Sequence, residues 1–344
     1  MRPLAPGAVR QHSGGMGAHA LETGPEDLAC RARAALVREI DRSGSFAADP
    51  LWREAFEAVP RHLFVPFYYV GGAAGTGGFE RVWSEDPDPR VRDDWLRGAY
   101  EDTPLATRVR DGELVSSSSQ PSLMARMLAE LDVRDGHDVL EIGAGTGYNA
   151  ALLAHRLGDS RVTTIDLDAE ITEAARRHLD RAGHHPAVVT GDGARGVPER
   201  APFDRIIATC TLTTIPPAWL PQCAPDARIV APLATGLIAL RVRGPGHAEG
   251  NFLHTPAYFV PLRGDTSPGP RPEQLGGLPR RARGQDLLRF LLTLTAGRLD
   301  PRDAYALWER EGRPERERYG VTVGDGRARA WLDDPRGRYV WPLT

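Results

Sequence analysis

The stretch HDVLEIGAGTGYNAALLAHRLG, residues 137–158, decides the fold. Its opening, HDVLEI, is a short apolar run of strand length. Three glycines follow at alternate positions, Gly143, Gly145 and Gly147, where the chain can turn tightly and bring its backbone close to a ligand. Apolar residues then recur at helical spacing until Gly158 stops the helix. Strand, glycine turn and helix in this order put a ligand at the carboxyl end of a parallel strand. A dinucleotide loop, G-x-G-x-x-G, would need its third glycine at position 148. Tyr148 stands there, so the nicotinamide reading loses.

Outward from this turn, RVTTID (161–166) reads as the next strand and ends on Asp166, placed to accept hydrogen bonds from ribose hydroxyls. AEITEAARRHLDRAG (169–183) is a helix closed by Gly183. AVVTGDG (187–193) brings Asp192 and Gly193 to the end of a third strand, where Asp192 can meet an adenine amino group. Either acid alone would serve as well as a turn or cap residue. Their order along successive strands favours a nucleoside. FDRIIATC (203–210) and ARIVAPL (227–233) add further strands. The alternation implies an α/β fold, Rossmann-like, with a doubly wound, mostly parallel sheet covered on both faces.

The rest of the chain divides by composition. Residues 1–25 are rich in Gly, Ala and Pro, without a long apolar run, and read as a loose tail rather than a signal peptide. The main domain is 26–263. It opens with helices over 26–65 and carries an insertion, 66–98, whose Gly, Asp and Pro read as a long loop. A Pro/Gly/Arg linker (264–283) leads to a C-terminal α+β module, 284–344, ending in two strands, RARAWLD and GRYVWPL.

The formal net charge of −3 gives no reason to expect nucleic acid or a membrane as partner. All 43 basic residues are Arg, so no lysine can act in catalysis. The cysteines, Cys30, Cys210 and Cys223, are few and lack a CxxC pair. That argues against a disulfide framework or a metal site and for a reducing, cytoplasmic setting. His184-His185 lack metal-ligand spacing, and Cys210 has no evident base beside it.

Beyond the glycine loop, five segments occur in order: AFEAVPRHLFVP (55–66), AYEDTPL (99–105), SSQPSLMARML (118–128), LEIGAGTGYNAALLA (140–154) and GDGARGVPERAPFDRIIAT (191–209). Together they resemble the protein-L-isoaspartate O-methyltransferase family of class I S-adenosylmethionine enzymes. The resemblance covers about 26–263. It implies S-adenosylmethionine as cofactor, without a metal, and methylation of an aspartyl or isoaspartyl carboxylate in a peptide or protein, the ester closing to a succinimide. It places the cofactor on Glu141, Gly143, Gly145, Gly147, Asp166, Asp192 and Gly193. It makes Ser119 the active-site hydroxyl, with Ser118 and Gln120 beside it as candidate substrate contacts; Arg61 and His62 in VPRHLFVP are further candidates that read equally as helix-end packing. Ser119 reads equally as a helix N-cap ahead of Pro121. The insertion and the C-terminal module depart from the basic family. They resemble a branch that tailors ribosomally made peptides, such as those cyclised by ATP-grasp ligases, and the reading leans that way over general repair. A catalytically silent peptide-binding module is the alternative of another class.

Overall fold

The computed structural model describes residues 24–71, 79–110, 112–264, 276–295 and 298–343; most of the N-terminal tail and of the linker lie outside them. The glycine turn is as the sequence reads it. β5 (Val139–Ile142) runs into α5 (Tyr148–Leu157), with Gly147 as N-cap and Gly158 as C-cap, both at positive φ. β6 (Val162–Asp166), α6 (Ala169–Arg181), β7 (Ala187–Thr190), β8 (Phe203–Ala208) and β9 (Cys223–Leu233) follow. They pair in parallel in the order β9-β8-β5-β6-β7. The order reverses beside β5, which leaves a crevice at the strands' carboxyl ends for a ligand.

The other half of the sheet is antiparallel. β10 (Gly236–Gly244) and β11 (His247–Pro256) fold back on β9. Then β12 (Tyr319–Gly324), β13 (Arg327–Leu332) and β14 (Val340–Leu343) continue to a ten-stranded mixed sheet. The C-terminal segment therefore extends the main sheet instead of standing apart as a module. α7 (Asp286–Thr295) and α8 (Pro301–Arg310) bury Phe290, Leu291, Leu307 and Trp308 in the same core as Ile206 and Ile229. The opposite face holds Ile207 and Val230 beneath α1 (Pro25–Arg42), α2 (Leu51–Ala58), α4 (Pro121–Leu131) and α5. Neighbouring residues of one strand thus serve two cores, as a period of two demands.

The expected insertion loop is a folded layer. β1 (Phe67–Gly71), β2 (Phe79–Trp83), β3 (Leu105–Arg110) and β4 (Glu113–Ser118) form a second sheet in the order β2-β1-β3-β4, and α3 (Pro89–Gly98) packs beside it. The loop reading failed because Gly and Pro do not exclude the elements they stand in, Gly71 ending β1 and Pro89 opening α3, while Tyr68, Trp95 and Leu96 are buried. Trp95 Nε1 donates to the Val65 carbonyl at 2.8 Å, tying the layer to the N-terminal helices.

Candidate active site

A cleft of about 720 Å³ opens at the carboxyl ends of β5, β6 and β8, walled by Ser116, Ser117 and Ser119 on one side and Val260–Arg263 on another. Glycine is required at its floor. Gly143 has φ +99°, and a Cβ there would lie 2.7 Å from Thr209 Oγ1. A Cβ on Gly193 would meet Ile142 Cγ2 at 2.6 Å. Thr209 and Ile142 occupy the space a side chain would take at these points, so the floor closes only around glycine.

Two acids give the cleft its polarity. Asp166 accepts from the Gly145 amide at 3.2 Å and from the Asp168 amide at 3.3 Å, and Arg263 lies 3.7 Å away. Burial holds its carboxyl above the usual range, offset by these hydrogen bonds. Glu141 is wholly buried, which pushes its carboxyl up to about 7 against the donors Thr164 (2.6 Å) and Asn149 (2.8 Å). Both acids line the cleft beside Gly143 and Gly145. Two such acceptors suit a ligand that donates from a ribose diol and an ammonium, and so fit S-adenosylmethionine.

On the facing wall, Ser119 precedes α4, whose N-cap residue is Gln120 with no side-chain capping bond. Capping comes from Asp102. Its Oδ1 accepts from the Ser122 amide at 2.8 Å, and its Oδ2 accepts from the Gln120 side chain at 3.1 Å. Ser119 is thereby released from the capping role and faces the cleft. Asp102→Ala should lower stability by about 1–2 kcal/mol through loss of this cap. An unchanged urea midpoint would refute it.

The Protein-L-isoaspartate(D-aspartate) O-methyltransferase family model matches residues 89–264 of this chain. The protein-L-isoaspartate O-methyltransferase of Hyperthermus butylicus is 34% identical over 258 residues, 71% of this chain and 93% of its own. The chain belongs to this family. It is an S-adenosylmethionine-dependent carboxyl O-methyltransferase. The Aeropyrum pernix relative is 32% identical over 240 residues, 68% of this chain and 80% of its own. A solved protein-L-isoaspartate O-methyltransferase shares the fold at TM-score 0.58 and 22% identity, over 90% of this chain and 98% of that one.

Glu141, Gly143, Gly145, Asp166, Gly193 and Ser119 of this methyltransferase meet in one cleft. Gly147 does not line it. It packs on α6, where an added Cβ would lie 3.3 Å from the Ala175 carbonyl oxygen. Asp192 does not line the cleft either. Its Oδ1 accepts from the Ala194 amide at 2.9 Å, closing the turn that presents Gly193. The substrate contacts need correction. Arg61 has no exposed surface, and its guanidinium donates to the carbonyls of Ala99, Glu101, Thr103, Ser118 and Ser119. Ser118 turns its hydroxyl inward to Arg61 at 3.4 Å. His62 pairs with the Tyr100 hydroxyl at 2.7 Å and stacks edge-on to Trp95, outside the cleft. Burial drops its ring to about 4, so it is neutral. Gln120 points to Asp102, as above. Arg61, Ser118 and Gln120 thus hold the serine loop from behind, and His62 packs on Tyr100 and Trp95.

Sequence reasoning missed Thr209 as a cleft wall and the part played by Trp219. Its indole nitrogen donates to the Gly193 carbonyl at 2.9 Å, fixing that turn. Cys210 lines the cleft as a neutral thiol, because burial pushes its proton affinity far up.

Asp166→Ala should weaken S-adenosylhomocysteine binding by about 1.5–3 kcal/mol, the worth of charge-assisted hydrogen bonds. Equal affinity in calorimetry would remove Asp166 from the nucleoside site.

Proposed function

We propose that this methyltransferase esterifies the side carboxylate of an isoaspartyl or aspartyl residue in a peptide or protein chain. The supporting observation is Ser119, a hydroxyl freed from helix capping on the wall that faces the two acids of the cofactor cleft. A carboxylate is already ionised at neutral pH, so the site needs no strong base. S-adenosylmethionine supplies an electrophilic methyl group on a sulfonium. The chain's task is to orient one carboxylate oxygen in line with that methyl and keep water away. Ser119 Oγ donates to the second carboxylate oxygen and so fixes the first. The resulting ester exposes its carbonyl to the neighbouring backbone amide nitrogen. Attack there expels methanol and closes a succinimide.

The leaning towards a dedicated precursor peptide rested on the insertion and the C-terminal segment. The solved relative leaves about one tenth of this chain unmatched, too little to exclude the whole span from Asp286 to Leu343. That segment therefore does not single out a precursor peptide, and the isoaspartyl acceptor of a general protein substrate is the reading preferred here. Two peptides differing only in isoaspartate against aspartate, incubated with enzyme and S-adenosylmethionine and followed by mass spectrometry, test it. Ester on the isoaspartyl peptide supports it. No reaction with either peptide, while cofactor binds, overturns it in favour of a dedicated precursor.

A further inference from the structure

Asn149 stands in the first turn of α5, directly after the glycine turn, and lines the cofactor cleft together with Glu141. Its amide nitrogen donates to Glu141 Oε1 at 2.8 Å, and Thr164 donates to Oε2 at 2.6 Å. The amide orientation is set by chemistry, since an ionised carboxylate can only accept. The same orientation leaves Asn149 Oδ1 buried without a partner. A buried acceptor left unmade is a loss of stability, and an apolar side chain of the same size would avoid it. Asn149 is therefore kept at a cost to the fold, and among the described residues its side chain hydrogen-bonds Glu141.

We propose that Asn149 is a positioning residue for the amino-acid end of the cofactor, holding Glu141 as the anion that receives the cofactor's ammonium. The inference rests on the reading of Glu141 as part of the cofactor site. Without the amide, one oxygen of a wholly buried carboxylate would lose its donor, and the carboxyl would keep its proton to higher pH. The titratable neighbours of Glu141 do not offset this. Asp166, on β6, disfavours a second negative charge, and Cys210, after β8, stays neutral.

The sign of the pH effect follows. Burial places the Glu141 carboxyl near 7 before any ligand binds. Affinity for a ligand bearing an ammonium then falls as pH drops through that region. In Asn149→Leu the same fall begins at higher pH. Burial also raises the Asp166 carboxyl, and on the reading of Asp166 as the ribose acceptor its protonation would affect any nucleoside alike.

The test is calorimetric titration of the full chain between pH 6 and 9 with S-adenosylhomocysteine and with 5′-methylthioadenosine, which lacks the amino-acid end. Asn149→Leu should bind S-adenosylhomocysteine at least fivefold more weakly at neutral pH, with the loss recovered towards pH 9. It should bind 5′-methylthioadenosine like the wild type. Asn149→Gln, which keeps the donor, should regain part of the affinity. Equal weakening of both ligands at every pH would make Asn149 merely structural, and unchanged affinity for both would discard it. Glu141→Gln separates the two claims. Should that variant bind S-adenosylhomocysteine like the wild type, the reading of Glu141 itself falls. Should it bind weakly while Asn149→Leu does not, only the positioning role falls.

Discussion

Arg61→Met is expected to destabilise the fold by about 3–5 kcal/mol, the range for breaking a buried charge network. The guanidinium makes five carbonyl contacts at 2.9–3.4 Å, gathered from two separate segments. One is the Ala99–Thr103 turn and the other is Ser118–Ser119. Desolvation pulls its proton affinity down to about 10, so it remains a cation at neutral pH. Methionine fills much of the volume but satisfies none of those oxygens, and each buried carbonyl without a donor costs about 1–3 kcal/mol. Arg61→Lys should recover only a part, because an ammonium cannot reproduce the planar fork. Urea denaturation of the three proteins measures this. A loss under about 1 kcal/mol in Arg61→Met would mean that the clamp contributes little.

Ser119→Ala should reduce turnover by about tenfold to a hundredfold, the scale on which misorienting a reacting group acts. Its hydroxyl neither caps α4 nor touches the cofactor acids, so stability and S-adenosylhomocysteine affinity should stay close to wild type. The pattern differs from that of Arg61→Met, which removes the support behind the same loop and so affects the fold as well. Steady-state rates with an isoaspartyl peptide, together with calorimetry, separate the two. An unchanged rate would take Ser119 out of the mechanism.

What the sequence discloses follows from which interactions are local. The β5 turn and α5 were legible to the residue at their glycine ends, because a positive φ and a helix stop leave a local signature at Gly147 and Gly158. Asp166 was legible because strand ends are set by the same local pattern. Arg61 was not, since VPRHLFVP gives no indication that its guanidinium closes on carbonyls 38 to 58 positions away. Asp102 was hidden for the same reason. It caps a helix through the Ser122 amide, 20 residues later, while the local sequence offered Ser119 for that role. The layer of β1, β2 and α3 was read as loop because Gly and Pro mark turns whether or not the strands between them pair. β13 and β14 were seen in the sequence, but β12 was not, and its pairing to β11 is a long-range event that no local pattern reports.

The central claim, methyl transfer to a carboxylate oxygen from this cleft, is tested most directly by the base lability of the methyl group transferred. The enzyme is incubated with methyl-labelled S-adenosylmethionine and an isoaspartyl peptide, and the labelled product is treated with mild base. Release of the label as methanol, with succinimide left on the peptide, is the expected result, and Ser119→Ala should give much less of it. Label that stays on the peptide through base would place the methyl on nitrogen or carbon and contradict the account.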